Sequence, residues 1–320
     1  MRVLKAADAK VEDLAFSPDG RAIAAGTLYS GIFLWNLEAV PLSRVPIPTE
    51  EGYTPGGLFF SADGRSLSWL APVASRRTFN RDTKSITTPN TFAANERTQE
   101  IITTPDGKHG ISLHGIPDHR LYCWRIADDM WVQSGTLSTA DLSVENLTIS
   151  ADGQLFAMLT RNALGEGWAN KPRKVEVRET ASATLRGSGE YPYKYGDKHG
   201  GRLLFSPDRS QLVGFNNMNL LVWEIPDRGD LGAPRLVRNT TRKQFTEIAF
   251  HPSGRHLYVT SNGEDSRDAT VHIFDTTNWA RVEQFSWQLG NFKAVAISPD
   301  GMLAAAGGDR GDIVIWDVDV

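Results

Sequence analysis

The chain has 320 residues, a formal net charge of −4, 40% hydrophobic residues and one cysteine. That length allows one large core or two domains, and the mildly acidic balance excludes general attraction to phosphate backbones. A lone Cys123 excludes an internal disulfide, and no apolar run approaches the roughly 18 residues of a membrane span. The opening Met1-Arg2-Val3-Leu4-Lys5-Ala6 has no apolar stretch long enough for a secretory signal, so a cytoplasmic protein is expected.

One short turn recurs through the chain. It reads Ser17-Pro18-Asp19-Gly20, Ser61-Ala62-Asp63-Gly64, Thr104-Pro105-Asp106-Gly107 and Ser150-Ala151-Asp152-Gly153. It returns as Ser206-Pro207-Asp208-Arg209, His251-Pro252-Ser253-Gly254 and Ser298-Pro299-Asp300-Gly301. Pro presets φ at the second position, Asp bonds nearby backbone, and Gly takes positive φ without strain. Arg209 in the glycine slot predicts a strained turn or one of another type. Apolar runs flank each turn, which is a hairpin signature. The turn ends at 20, 64, 107, 153, 209, 254 and 301 give steps of 44, 43, 46, 56, 45 and 47. A near-constant step of that size is the spacing of propeller blades.

In chain order, the first repeat runs from about Val11 to Pro46 and contains Ile32-Phe33-Leu34-Trp35-Asn36. The second has Leu58 to Phe60, Ser66 to Leu70 and a third strand near Thr78 to Arg81. The third covers about Gln99 to Leu137 and contains Leu121-Tyr122-Cys123-Trp124-Arg125. The fourth starts near Leu147, with Lys174-Val175-Glu176-Val177-Arg178 as its third strand. The fifth starts at Arg202, the sixth at Glu247 and the seventh at Ala294. Their third strands are Leu220-Leu221-Val222-Trp223-Glu224, Val271-His272-Ile273-Phe274-Asp275 and Ile313-Val314-Ile315-Trp316-Asp317.

An apolar strand, the Ser-Pro-Asp-Gly turn, a second strand and an apolar strand ending in Trp-Asp resemble the WD40 repeat family. The resemblance spans the chain. It is strongest in repeats one, five, six and seven, and weakest in two and four. It implies an all-β, seven-bladed propeller of four-stranded antiparallel blades, in one domain over 1–320. The seventh repeat ends just after its third strand, so residues 1–7 are predicted to supply its outer strand and remove an unpaired edge. The family's Gly-His before each first strand is nearly absent, with His199-Gly200 the closest match. The family's Asp survives only as Asp118 and Asp268, so the buried polar network it joins is expected to be mostly missing.

No G-x-S-x-G, P-loop, H-E-x-x-H or C-x-x-C motif occurs. His109, His114 and His119 are five apart, which places them on alternate faces and reads as a strand with its turn rather than a metal cluster. Four residues before each turn lie Asp13, Gly57, Glu100, Asn146, Arg202, Glu247 and Ala294. In a propeller these positions ring the central channel. Asp13, Glu100, Asn146 and Glu247 could there hold a hard cation, as in lactonase-like propeller hydrolases. Polar residues facing a water-filled channel are the plainer reading, and fold alone grants no activity.

Long insertions cluster in the fourth repeat. The stretch from Arg161 to Arg173 contains Trp168, and that from Leu185 to Lys198 carries Tyr191, Tyr193 and Tyr195. In a four-stranded meander the b–c and d–a loops emerge at one end. That face also receives Tyr53, Arg76, Arg77, His119, Asp265 and Arg267. Tyr, Trp and Arg dominate binding hot spots. The expected function is a noncatalytic scaffold docking a protein or peptide through Trp168, Tyr191, Tyr193 and Tyr195 as anchors, with Arg76, Arg77 and Arg173 as donors. No cofactor, membrane or nucleic-acid partner is expected. The chain is read as a monomeric propeller within a larger complex. The alternatives are the metal-dependent hydrolase at the channel mouth and a purely structural subunit.

Overall fold

The computed structural model describes residues 1–49, 54–71, 75–88, 98–104, 106–115, 119–127, 130–164, 172–192, 202–216, 219–241, 243–263 and 269–318. These residues form strands and turns, with no helix among them. Strand β1 (Arg2–Lys5) comes first. Blade one is β2 (Val11–Phe16), β3 (Ala22–Thr27), β4 (Gly31–Asn36) and β5 (Arg44–Ile47). Blade two is β6 (Gly56–Phe60), β7 (Ser66–Ala71), β8 (Ser75–Asn80) and β9 (Ile86–Thr87). Blade three is β10 (Thr98–Thr103), β11 (His109–His114), β12 (Arg120–Ala127) and β13 (Met130–Ser138). Blade four is β14 (Leu142–Ile149), β15 (Leu155–Asn162), β16 (Arg173–Glu179) and β17 (Leu185–Tyr191). Blade five is β18 (Leu203–Phe205), β19 (Gln211–Asn216), β20 (Asn219–Glu224) and β21 (Arg235–Arg238). Blade six is β22 (Gln244–Phe250), β23 (His256–Asn262), β24 (Ala269–Asp275) and β25 (Ala280–Trp287). Blade seven holds β26 (Phe292–Ile297), β27 (Leu303–Gly308) and β28 (Asp312–Asp317). Every sheet has four antiparallel strands, a meander in blades one to six, and the architecture is a seven-bladed β-propeller.

The chain divides into two compact units. Met1–Phe92 with Arg242–Val320 carries blades one, two, six and seven; Ala93–Thr241 carries blades three, four and five. In the first unit the N-terminal strand completes blade seven, as the sequence predicted. Arg2, Val3, Leu4 and Lys5 pair with Ile315, Val314, Ile313 and Asp312. Leu4 and Ala6 are buried in a cluster with Val11, Ile23, Trp35, Ala305 and Ile313. Ala6 N–H donates to Gly311 O at 2.9 Å, and the chain then crosses the turn so closely that a Cβ on Gly311 would lie 1.6 Å from Ala7 O. Only glycine fits there, at φ +80°.

The recurrent turn has one geometry. In blade one Gly20 N–H donates to Ser17 O, Ser17 Oγ donates to Asp19 Oδ1 at 2.5 Å, and Asp19 Oδ1 accepts from Arg21 N–H at 3.0 Å. The serine hydroxyl is the main reason Asp19, Asp63, Asp208 and Asp300 sit below the usual carboxylate range. At Asp106 burial pushes upward, but Thr104 and Lys108 outweigh it. Arg209 does not change the turn type. It keeps the bond to Ser206 O and adopts φ +63°, while its guanidinium pairs with Asp152 at 3.0 Å and donates to Gln154 Oε1 at 2.8 Å.

One sequence expectation is corrected in the second unit. Residues Leu185–Tyr191 are not connection but the outer strand of blade four, paired along β16. The turn-like glycines arise from close approach: a Cβ on Gly187 would stand 2.3 Å from Gly229 O, and Leu231 N–H donates to Ser188 O. A buried polar network is present in blade three. Trp124 Nε1 donates to Ser112 Oγ at 2.8 Å, and Ser112 Oγ bonds His114 Nε2 at 2.8 Å. The residues of that network read from the sequence, Asp118, His199 and Asp268, lie outside the described residues.

Ser112 faces Tyr122, two residues before Trp124. The matching positions are Gly214 in blade five and Ala306 in blade seven, opposite Leu221 and Val314. Neither residue can accept a hydrogen bond through its side chain, and the indole N–H groups of Trp223 and Trp316 are buried without a partner. An unmet buried donor costs about 1–3 kcal/mol. Ala306→Ser is therefore expected to stabilise the protein by about 1 kcal/mol in thermal unfolding. A lower melting temperature would show that the hydroxyl does not reach Trp316.

A β-bulge interrupts the first strand of six blades near its start: at 11/13, 56/59, 98/100, 144/146, 245/247 and 292/294. Bulges re-aim side chains. Burial pushes the Glu100 carboxyl at one bulge up to about 7, with Arg202 pulling it down. Below its ordinary value of 4.5 Glu100 is neutral folded and unfolded; as pH rises through about 7, the favourable neutral state is lost. Glu100→Gln should leave the melting temperature nearly unchanged at pH 4 and raise it at pH 8. Equal effects at both pH values would contradict that origin.

Candidate functional site

The stems of the two long loops of blade four are neighbours by strand register. Arg173 opens β16, Tyr191 closes β17, and the two are directly paired. Glu145, the extra residue of the β14 bulge, fixes the first stem. Its carboxylate pairs with Arg161 Nη2 at 2.6 Å and accepts from Arg173 Nε. The three side chains are 13%, 11% and 8% exposed, so the carboxylate between two guanidiniums is largely desolvated. Tyr191 fixes the second stem. It is 4% exposed, stacks on Trp223 at 5.9 Å between ring centroids, and donates its hydroxyl proton to Phe215 O.

Of the sequence-predicted contact residues, Trp168, Tyr193 and Tyr195 lie outside the described residues, as do Tyr53, Asp265 and Arg267. Arg173 and Tyr191 sit buried at the loop stems. In the other unit Arg76 is buried on β8, and the half-buried Arg77 donates through Nη1 to Thr88 Oγ1.

The first-strand polar residues bond backbone. Asp13 accepts from Leu14 N–H at 2.9 Å and, from the adjoining blade, Leu58 N–H at 2.8 Å. Asn146 does the same for Leu203 N–H at 2.8 Å. Glu247 accepts from Ile248 N–H at 3.0 Å. Among the described residues, no group of three or more His, Cys, Asp or Glu side chains could hold a metal ion. His114 is buried in the Ser112–Trp124 network, while His119 lies in a turn at φ +48°. Burial pushes the Cys123 thiol up to about 12, so it is not a ready nucleophile, and pushes His272 down to about 4.

At the opposite end of blades three and four, where the a–b and c–d turns lie, there is a groove of about 520 Å³. Its lining includes His109, Arg125, Thr180 and Arg186, with Glu179 the one carboxylate among the described residues and Val132 to Ser134 of β13 along one side. Three buried polar atoms there have no hydrogen-bond partner: His109 Nδ1, Thr180 Oγ1 and Arg186 Nε. Strand β13 is itself unusual. It is the longest outer strand, and its nine residues, Met-Trp-Val-Gln-Ser-Gly-Thr-Leu-Ser, carry no charge and no proline. The other outer strands are short, charged or covered: β1, β5, β21 and β25 bear arginines, β9 has two residues, and β17 is covered by the bond from Leu231. Sequence reasoning missed this groove, although the uncharged run at 130–138 was its one visible signal.

Residues 1–36 and 285–317 match the model of the WD domain, G-beta repeat family. These segments cover β1 to β4 and the end of β25 through β28. No curated protein matches the chain in sequence. Solved structures match it in fold: the β-propeller domain of Cps50 (Swd1) from Myceliophteria thermophila is 13% identical, with a TM-score of 0.69 over 98% of this chain and 99% of that one. In all, 1626 solved chains match, and likeness at 13% identity establishes fold and not activity. WD40 propellers are generally noncatalytic and typically serve as protein-interaction scaffolds. The matched segments resemble WD40 repeats, and the fold is that of a WD40 β-propeller.

Proposed function

We propose that the protein is a noncatalytic interaction scaffold that docks a peptide or protein domain on the b–c and d–a loop end of blade four. The observation that carries this reading is the pairing of Arg173 with Tyr191, which sets the stems of the two long loops side by side. Buried anchors hold both stems, Glu145 on one and Trp223 with Phe215 on the other. Stems fixed in this way reduce the ordering entropy lost on docking. Tyr191 and Arg173 act as positioning residues in this reading, and Trp168, Tyr193 and Tyr195 supply the contact surface. Aromatic side chains on fixed stems are the composition of a binding hot spot.

The test replaces residues 165–171 and 193–200 with Gly-Ser linkers of equal length, leaving both stems intact. Affinity capture from the native source with mass spectrometry is then compared with the unaltered chain. The melting temperature should change little while the specifically captured partner is lost. Recovery of the same partner in the same amount would overturn the loop end as the docking surface.

A further inference from the structure

The groove between blades three and four is separate from the loops of blade four and stands on its own observations. It has the volume of a ligand site, within the common range of about 300–1,000 Å³. Thr180 is only 2% exposed, yet its hydroxyl has no partner; His109 Nδ1 and Arg186 Nε share that condition. Native proteins seldom leave three buried polar atoms unpaired in one place unless something else satisfies them. Arg125 is exposed and forms no ion pair among the described residues. Among the described residues Arg186 reaches only the fully exposed Asp227, at 4.0 Å.

The charge of the lining limits the ligand. Among the described residues two guanidiniums face one carboxylate, Glu179, an excess of one positive charge from these three side chains. A carboxylate balances that charge, whereas a phosphate dianion would leave an excess beside Glu179. The shape of the wall limits it further. Val132, Gln133 and Ser134 belong to an edge strand whose backbone, among the described residues, bonds only to β12. An extended backbone is the natural complement of such an edge. Ser134 Oγ already leans across the groove to Thr180 O at 3.5 Å, a long bond that a better partner can replace.

We propose that this groove docks an extended segment of a partner protein bearing an aspartate or glutamate. The segment lies along β13, and its carboxylate pairs with Arg125 and Arg186. Thr180 and His109 complete the polar contacts, and Glu179 disfavours a more highly charged group.

The test is selection from a displayed library of random decapeptides, using the full chain as bait, in parallel with Arg125→Glu and Arg186→Gln. Arg125 is exposed, so Arg125→Glu keeps the question answerable if Arg186→Gln fails to fold. The strongest selected peptide is then synthesised with its acidic residue as Glu, as Gln and as phosphoserine. The full chain should enrich peptides with one carboxylate flanked by β-forming residues. The Glu peptide should bind at least about tenfold more tightly than the Gln form, and Arg125→Glu should abolish the enrichment. Enrichment that survives Arg125→Glu, equal binding of the Glu and Gln peptides, preference for phosphoserine, or no enrichment at all would overturn the proposal. Because the blade-four loops are unaltered here, failure of this test and failure of the loop exchange are read separately.

Discussion

A small sheet buried on both faces cannot stand alone, and that constraint governs this protein. Strand β3 shows it in the extreme, with all six of its residues buried. Ile23 and Ala25 pack into the cluster with Leu4 and Ile313, while Ala22 and Ala24 pack into the one with Trp69 and Phe79. Blade one thus supplies half of two cores. Stability is therefore carried by neighbour interfaces, as in other repeat architectures. The hydrogen bonds of Asp13 to Leu58 and of Asn146 to Leu203 tie adjoining blades at the same structural position.

This dependence explains which features were legible in the sequence. The turn could be read because every copy closes the same bonds: a hydroxyl or imidazole at its first position meets the third residue in the Ser17, Ser61 and His251 copies alike. The terminal strand could be read because blade seven ran out of chain. Blade four's outer strand could not, because Gly187 and Gly189 look like turn residues until the loop around Gly229 and Leu231 is seen pressing on them. Arg209 likewise breaks a sequence rule without breaking the turn, its side chain held by Asp152 and Gln154 of the adjoining blade.

Polar residues were harder to place than apolar ones. Arg173 and Tyr191 have the composition of contact residues, but their register puts them at the stems, where Glu145 and Trp223 bury them. No periodicity distinguishes a solvent-facing arginine from one paired inside a bulge. The groove beside β13 was hidden for a different reason. Its lining comes from six short segments of blades three and four, and only folding brings His109, Arg125, Thr180 and Arg186 together. What the chain did show was an outer strand without the charges that guard the others.

The N-terminal strand is where the constraint can be tested most directly, since it fills an edge that no other strand supplies. The decisive measurement compares native-state hydrogen exchange and thermal unfolding of the full chain with a chain lacking residues 1–6. Without β1, the amides of β28 that face it should lose protection, and the melting temperature should fall sharply as Leu4 and Ala6 leave the core. Unchanged protection along Asp312–Asp317 together with an unchanged melting temperature would contradict the dependence of each blade on a complete set of strands.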